Sequence, residues 1–384
     1  MAFTPVGTLI NTFDTEWIGT LHEQTPKFLA GWVDETIRNR LFLAMLRKNG
    51  RIVLGASSPM CIWNVKFSQP TVSSAGDGGS LVFQRNDNQR QLAQDQRGYV
   101  VTDMMTEKEY LGNQAPGQIF NRYGEVVPWL MEAMTDNFGG QLFIDGNAAA
   151  NTNCIMGLNS FTGYTACTTS DLIAQANDTY AGQSTVLGAE TGTWTATLAA
   201  ASQPNTSLAF DWPHGTGNTQ YDFITPKLLN FNCGRWLGST GTATFETVCE
   251  RVIRQGRLWL TNTGGQAGRP KLVLLAPNLM TDFLNHQSAK QRIIVPHKEA
   301  EDLGFSETVN FEGMAVESDY ECPVSTGFML NTQNIELTSM DKVLFGYRGP
   351  DWSIEKRAWL FYVGFWGNAR FRPKHIAKIA DFTA

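Results

Sequence analysis

The chain has 384 residues, long for one domain, so two lobes or one elaborated domain is expected, and its 42% apolar content supplies a sizeable core. Only 17% of the residues are charged, which fits extensive buried interface. The formal net charge of −6 argues against a protein that grips nucleic acid through a basic excess.

Residues 1–22 read as an arm with little periodicity. Met1-Ala2-Phe3-Thr4-Pro5 offers neither a basic n-region nor an apolar run, so no secretory signal is expected. Thr25-Pro26 is a helix start, a capping hydroxyl followed by proline at the first helical position. Leu29, Trp32, Val33, Ile37, Leu41 and Met45 follow at helical spacing, and Asn49-Gly50 supplies the stop. Residues 51–70 read as extended, with Ile52-Val53-Leu54 and an alternating run at 62–67. A turn at Gly76-Asp77-Gly78-Gly79 and a polar run at 84–91 lead to a return strand at 99–105. The whole reads as a long two-stranded loop with a polar tip. An unsupported two-stranded ribbon is marginal in water, so it calls for a neighbour.

The clearest predicted helix follows. Ile119, Tyr123, Val126, Val127, Leu130, Met131, Met134, Phe138 and Leu142 form one apolar stripe. Pro128 inside it should kink the helix or mark its true start, and Asp145-Gly146-Asn147 ends it. Residues 160–240 are rich in Thr, Gly, Ser and Asn, as loops and short strands of a second lobe would be. Phe245, Val248, Cys249, Val252 and Ile253 then space as a helix, 271–276 reads as a buried strand, and Pro277 opens a helix to about His286. A strand at 309–316, another at 327–331 and an apolar tail at 358–365 complete the pattern. No apolar run approaches bilayer length.

Catalytic constellations are missing. The Gly76 turn is no phosphate loop, since neither a Gly-Lys-Ser/Thr nor a G-x-G-x-x-G between strand and helix occurs. Asp14 with Glu16, and Glu299 with Glu301, come without a third catalytic group. Neither a G-x-S-x-G elbow nor an H-E-x-x-H is present. Cys61, Cys154, Cys167, Cys233, Cys249 and Cys322 are scattered without a C-x-x-C pair, so reduced, buried thiols in a cytosolic setting are expected. The histidines show no metal-ligand spacing. No catalytic, cofactor or metal residue is therefore expected, and the chain is read as a non-enzyme without a cofactor.

This order of parts resembles the major capsid protein of tailed double-stranded DNA bacteriophages, whose fold encapsulins share. Tyr180-Ala181-Gly182 with Trp194 is similar to a recurrent patch of that family. So is the run from Phe311-Glu312-Gly313 to Asp319 leading to Gly327-Phe328-Met329-Leu330-Asn331, and Gly364-Phe365-Trp366-Gly367-Asn368 with Arg372-Pro373 resembles its closing strands. The resemblance implies an α+β fold with N-terminal arm, extended β loop, long spine helix, peripheral domain and axial domain. On that pattern 1–50 is arm and helix, 51–117 the extended loop, 118–156 the spine helix, 157–308 the axial domain, and 309–384 the peripheral strands and C-terminal closure. It implies a structural subunit of an icosahedral head, assembling into pentamers and hexamers around packaged DNA. Its partners would be copies of itself, separate scaffolding, portal and decoration proteins, and DNA touched non-specifically, with no membrane. The chain would assemble in the bacterial host cytoplasm and reside in the virion capsid.

The resemblance also points to Trp63, Arg85, Arg90, Asp95 and Arg97 as subunit-interface candidates on the loop, with core packing expected for Trp129 and Trp359. Two alternatives stand beside the phage head. One is an encapsulin-type compartment shell. The other is a β-rich carbohydrate-binding or hydrolytic protein, for which Asp211 and Asp222 are candidate carboxylates.

Overall fold

A computed structural model describes residues 41–66, 88–112, 122–187, 223–238, 241–288 and 309–383, with residues 70, 72, 74, 77, 83 and 85 between the first two stretches. The predicted arm, the helix start at Thr25-Pro26, Ile119, Trp194, Asp211, Asp222, Asp14 with Glu16 and Glu299 with Glu301 lie outside the described residues.

In chain order the first elements are α1 (Leu41–Lys48), β1 (Ile52–Leu54), β2 (Met60–Lys66), β3 (Gln89–Asp95), β4 (Arg97–Thr106), α2 (Glu107–Gly112) and α3 (Arg122–Gln141). Short strands follow: β5 (Tyr164–Thr165), β6 (Ile173–Ala176), β7 (Thr179–Tyr180), β8 (Gln183–Ser184) and β9 (Lys227–Asn230). Then come α4 (Phe245–Gly268), β10 (Leu272–Leu275), α5 (Pro277–Ser288), β11 (Val309–Phe311), β12 (Met314–Ser318), β13 (Gly327–Leu330), β14 (Ile335–Ser339), β15 (Gly346–Ser353), β16 (Ala358–Phe371) and β17 (Ala377–Ala380). The fold is α+β, with mixed sheets and few helices.

The chain divides into two compact units. The described part of the first comprises residues 98–138, except 113–121, and 341–366. Here β15 pairs antiparallel with β16, and β4 also pairs with β16. The apolar stripe of α3 supplies its core: Val126, Leu130 and Met134 pack with Met105, Phe361 and Val363. The helix runs through Pro128 rather than beginning there. Proline removes its own N–H donor and crowds the carbonyl one turn back, a cost that packing of the helix's apolar face offsets.

The second unit holds the larger core. Its sheet runs β11-β12-β10-β13-β17-β9-β6-β5, with β10 parallel to β12 and antiparallel to β13. Strands β9, β10 and β13 are buried at every residue, as central strands covered on both faces must be. Val248, Val252, Ile253, Trp259 and Leu260 of α4 and Leu279, Met280 and Phe283 of α5 belong to the same cluster as these strands. Gly256 marks how closely α4 approaches, since a Cβ there would stand 2.6 Å from Leu229 Cδ1 and 2.8 Å from Met329 Sδ. Also in this unit, β1 pairs parallel with β14, and β14 pairs antiparallel with the last residues of β16.

Two sequence expectations change. Residues 309–316 form a hairpin rather than one strand. The chain turns at Glu312 (φ 52°) and Gly313 (φ 79°), and β11 pairs antiparallel with β12. Successive left-handed residues make the two-residue turn that matches strand twist. The return strand of the ribbon is also misplaced: β2 pairs with β3, at 89–95, while 97–106 pairs with β16. Part of the expected polar tip is therefore strand.

Lys378 on β17 is an interior cation. Its Nζ donates to Asn159 Oδ1 at 2.9 Å and to Thr162 Oγ1 at 3.3 Å. Burial pushes its pKa down from 10.5 to about 8, with Cys322, Asp145 and Asp178 opposing more weakly. Between these two pH values the unfolded chain holds the extra proton, so this position's contribution to stability rises with pH. A Lys378→Met variant has no titration there. Urea unfolding should therefore show the parent gaining on it by about 3 kcal/mol from pH 8 to pH 10.5, at about 1.36 kcal/mol per pKa unit. A difference that stays flat across that window would contradict this account.

Candidate functional site

The ribbon β2–β3 is registered from Met60 opposite Asp95 to Lys66 opposite Gln89. Alternation gives it two faces. Cys61, Trp63 and Val65 with Leu92 and Gln94 point inward, and Leu92 and Gln94 are buried. Met60, Ile62, Asn64 and Lys66 with Gln89, Gln91 and Asp95 are exposed, Ile62 at 51%.

The inward face docks on the second unit's own body. The Trp63 ring lies 6.4 Å from that of Tyr180, and the Arg370 guanidinium sits 5.7 Å over the Trp63 ring. A cation over an indole face is worth roughly 0.5–1 kcal/mol at an exposed site and more when desolvated. Arg370 is held in place by an ion pair with Glu336. Tyr180 is wholly buried, and its hydroxyl accepts the Phe371 N–H at 2.8 Å. Burial raises its phenol pKa and also raises that of the Cys61 thiol. The hairpin β7–β8 fixes Tyr180 through a turn at Ala181 and Gly182, both with positive φ. Phe161 completes the cluster, 5.2 Å from Tyr180 and 5.5 Å from Phe371.

Polar bonds fasten the ribbon's end. Asn368 Nδ2 donates to the Asp95 carbonyl at 2.8 Å, while its Oδ1 accepts the Met156 N–H at 2.9 Å. Arg97 donates to the carbonyls of Gly146 at 2.9 Å and Asn151 at 3.2 Å, and to that of Cys154. It thereby closes the turn that starts at Asp145-Gly146-Asn147.

The structure thus places Trp63, Arg90 and Asp95 on one ribbon, with Arg97 just beyond it. Trp63 and Arg97 have partners in their own chain. Arg85 stands apart and exposed. The sequence reading passed over Arg370, and it noted Tyr180 and Asn368 without a role in holding the ribbon, because their partners lie far away along the chain. It also passed over Val72, 94% exposed, and Phe83, 91% exposed, two apolar side chains between β2 and β3. The apolar triplet Leu81-Val82-Phe83 just before the polar run was the available signal.

No group of His, Cys, Asp and Glu among the described residues is arranged to hold a metal ion. All six cysteines are free. No helix among the described residues is long and apolar enough to cross a membrane.

No family model matches the sequence. No curated protein matches it either. Solved structures do. The capsid asymmetric unit of cyanophage A-1(L) is 17% identical, with 97% of this chain and 99% of that one covered at a TM-score of 0.59. The capsid of a native GTA particle is 11% identical, with 93% of each chain covered at 0.55. The holo-SrpI encapsulin complex from Synechococcus elongatus is 10% identical, with 99% of this chain and 96% of that one covered at 0.50. The chain therefore has the tailed-phage major capsid fold, which an encapsulin shares.

Proposed function

We propose that this chain is the structural subunit of an icosahedral bacteriophage head, a non-enzyme that builds pentamers and hexamers around double-stranded DNA. The observation that carries the proposal is nearly end-to-end likeness to a cyanophage capsid subunit, 97% of this chain against 99% of that one. The ribbon with its exposed Val72 and Phe83 supports it, because such side chains gain stability only when something covers them. On this reading 51–117 is the extended loop that lies over an adjacent subunit, 118–156 the spine helix, and 157–308 the axial domain at the capsomer centre. Residues 1–50 make the arm; of 309–384, residues 341–366 go with the spine helix to the peripheral domain, whereas β11, β12, β13 and β17 share one sheet with β9 and β10 and so belong with the axial lobe, which corrects the boundary expected at 309. Arg85 and Asp95 face neighbours, while Arg90, opposite Val65 on the inward face, stands with Trp63 and Arg97, which hold the loop at the angle those contacts need. Scaffolding, portal and decoration proteins are further partners. Assembly takes place in the host cytoplasm, the finished location is the virion, and the net charge of −6 keeps the wall from adhering to its DNA.

The encapsulin likeness favours a second reading, a bacterial compartment shell. Negative-stain electron microscopy of the chain, expressed alone and with its neighbouring genes, tests both. Closed shells or capsomer rings are expected. Shells that co-purify with an enzyme cargo from the native host would select the compartment, and a dispersed monomer under every condition would remove both.

A further inference from the structure

Residues 354–357 turn the chain from β15 into β16 and make a projecting tip. Ile354 is 84% exposed, and Glu355 beside it is exposed without an ion-pair partner in its own chain. The rest of the turn is engaged. Arg357 pairs with Glu107 at 2.8 Å, and Lys356 lines a hollow with Asp103 and Asp351. The Trp352 and Trp359 rings, 5.2 Å apart, brace the strands at its base.

The second unit carries the opposite features. A cavity of about 640 Å³ is lined by buried Met45, Leu272 and Ala315 and by Arg51, Arg269 and Lys271. Among the described residues no acid lines it, and every lining residue stands between described chain neighbours. Glu312, the nearest acid along the chain, is held by Arg254 and Arg257. Arg51 donates to the carbonyls of Thr332, Gln333 and Ile335. The side chains of Arg269 and Lys271 are exposed and have no anion in their own chain.

We infer that the β15–β16 tip of one copy seats in this cavity of a second copy, with Ile354 over the apolar lining and Glu355 against Arg269 and Lys271. The inference rests on the head reading, and it names a copy-to-copy contact apart from the ribbon. Covering Ile354 takes apolar surface out of water, which a small anion in the cavity would not do. Two different surfaces meet, so the contact runs head to tail and passes from copy to copy until a ring closes. An acidic chain also gains specificity from it. Like net charge keeps copies apart, and setting acid against base fixes where they join.

Sedimentation velocity of the full chain over a range of concentrations, with electron microscopy of the same samples, tests this. Arg269→Glu with Lys271→Glu, and separately Glu355→Lys, should each weaken self-association at least about ten-fold, as loss of a close charge pair at an interface does. All three changes together set opposite charges face to face again and should return association to within about three-fold of the parent. Lys342→Glu with Arg372→Glu changes the net charge equally at exposed positions outside both surfaces and should leave association near the parent's. If the Arg269 and Lys271 pair variant fails to fold, Glu355→Lys at the exposed turn decides alone. Equal loss in the control would mean diffuse charge and overturn the contact. A triple variant that stays apart, a Glu355→Lys chain that associates like the parent, or a parent that does not self-associate would overturn it too. The head reading fails separately. A parent whose association follows the charge swap yet never forms rings or shells sinks that reading alone, and shells that form regardless of the swap sink the contact alone.

Discussion

Replacing residues 67–88 with an Asn-Gly turn should yield a chain that folds and never closes a shell. Lys66 stands opposite Gln89, so a two-residue turn joins the strands in register. What holds the ribbon to its own body is untouched: Trp63 against Tyr180 and Arg370, buried Leu92 and Gln94, and the Asn368 bond to Asp95. The replacement takes away Val72, Phe83 and Arg85, which have no role in that docking. The thermal midpoint should therefore stay within about 1 °C of the parent, a shift of under about 1 kcal/mol for a chain of this size. Gel filtration should give a dispersed species, and electron microscopy should show no closed particles. Normal shells from this variant would remove the loop from assembly, and an unfolded variant would mean that the tip serves the fold.

The second large effect falls in the first unit. Phe138 is 1% exposed and meets three rings edge-on: Phe365 at 4.7 Å, Phe345 at 5.6 Å and Tyr99 at 6.0 Å. Truncating a buried phenylalanine costs about 3–5 kcal/mol, from lost transfer energy and the cavity left behind. Edge-to-face pairs add about 0.5–1.5 kcal/mol each when they break. Phe138→Ala should lower the urea midpoint of the unassembled chain by the equivalent of at least 3 kcal/mol. Ile354→Ala, at a site 84% exposed, should change it by less than about 0.5 kcal/mol. A loss under about 1 kcal/mol for Phe138→Ala would mean that the four rings repack freely.

Where side-chain period was strong, the elements could be read directly from the residues. α4, β10 and α5 stand where Phe245 to Ile253, 271–276 and Pro277 placed them, because each buries one clean face or both. The helix stop at Asn49-Gly50 holds for the described part of its helix, with Gly50 left-handed at φ 62°. β3 escaped notice because Gln-Arg-Gln-Leu-Ala-Gln-Asp carries a single large apolar residue, and one inward position is Gln94. Its strand character comes from pairing with β2 and from the surface beneath it, neither of which a local pattern contains. The turn at Glu312 was hidden because a left-handed glutamate is uncommon and only the hairpin around it makes that conformation worthwhile. Trp63 was visible as an aromatic on a loop. Its partners Tyr180 and Arg370 are too distant in sequence for any spacing rule to connect.

The Asn368 junction gives the ribbon a mechanical character. One side chain ties the Asp95 carbonyl at the ribbon's end to the Met156 N–H, and Arg97 bolts the adjoining residue pair to the 146–154 turn. Tension applied at the tip loads these short bonds together along the strands and does not peel them one at a time. A loop gripped by a neighbour would then behave as a stiff tie rod, carrying strain from that contact into the body of its own subunit.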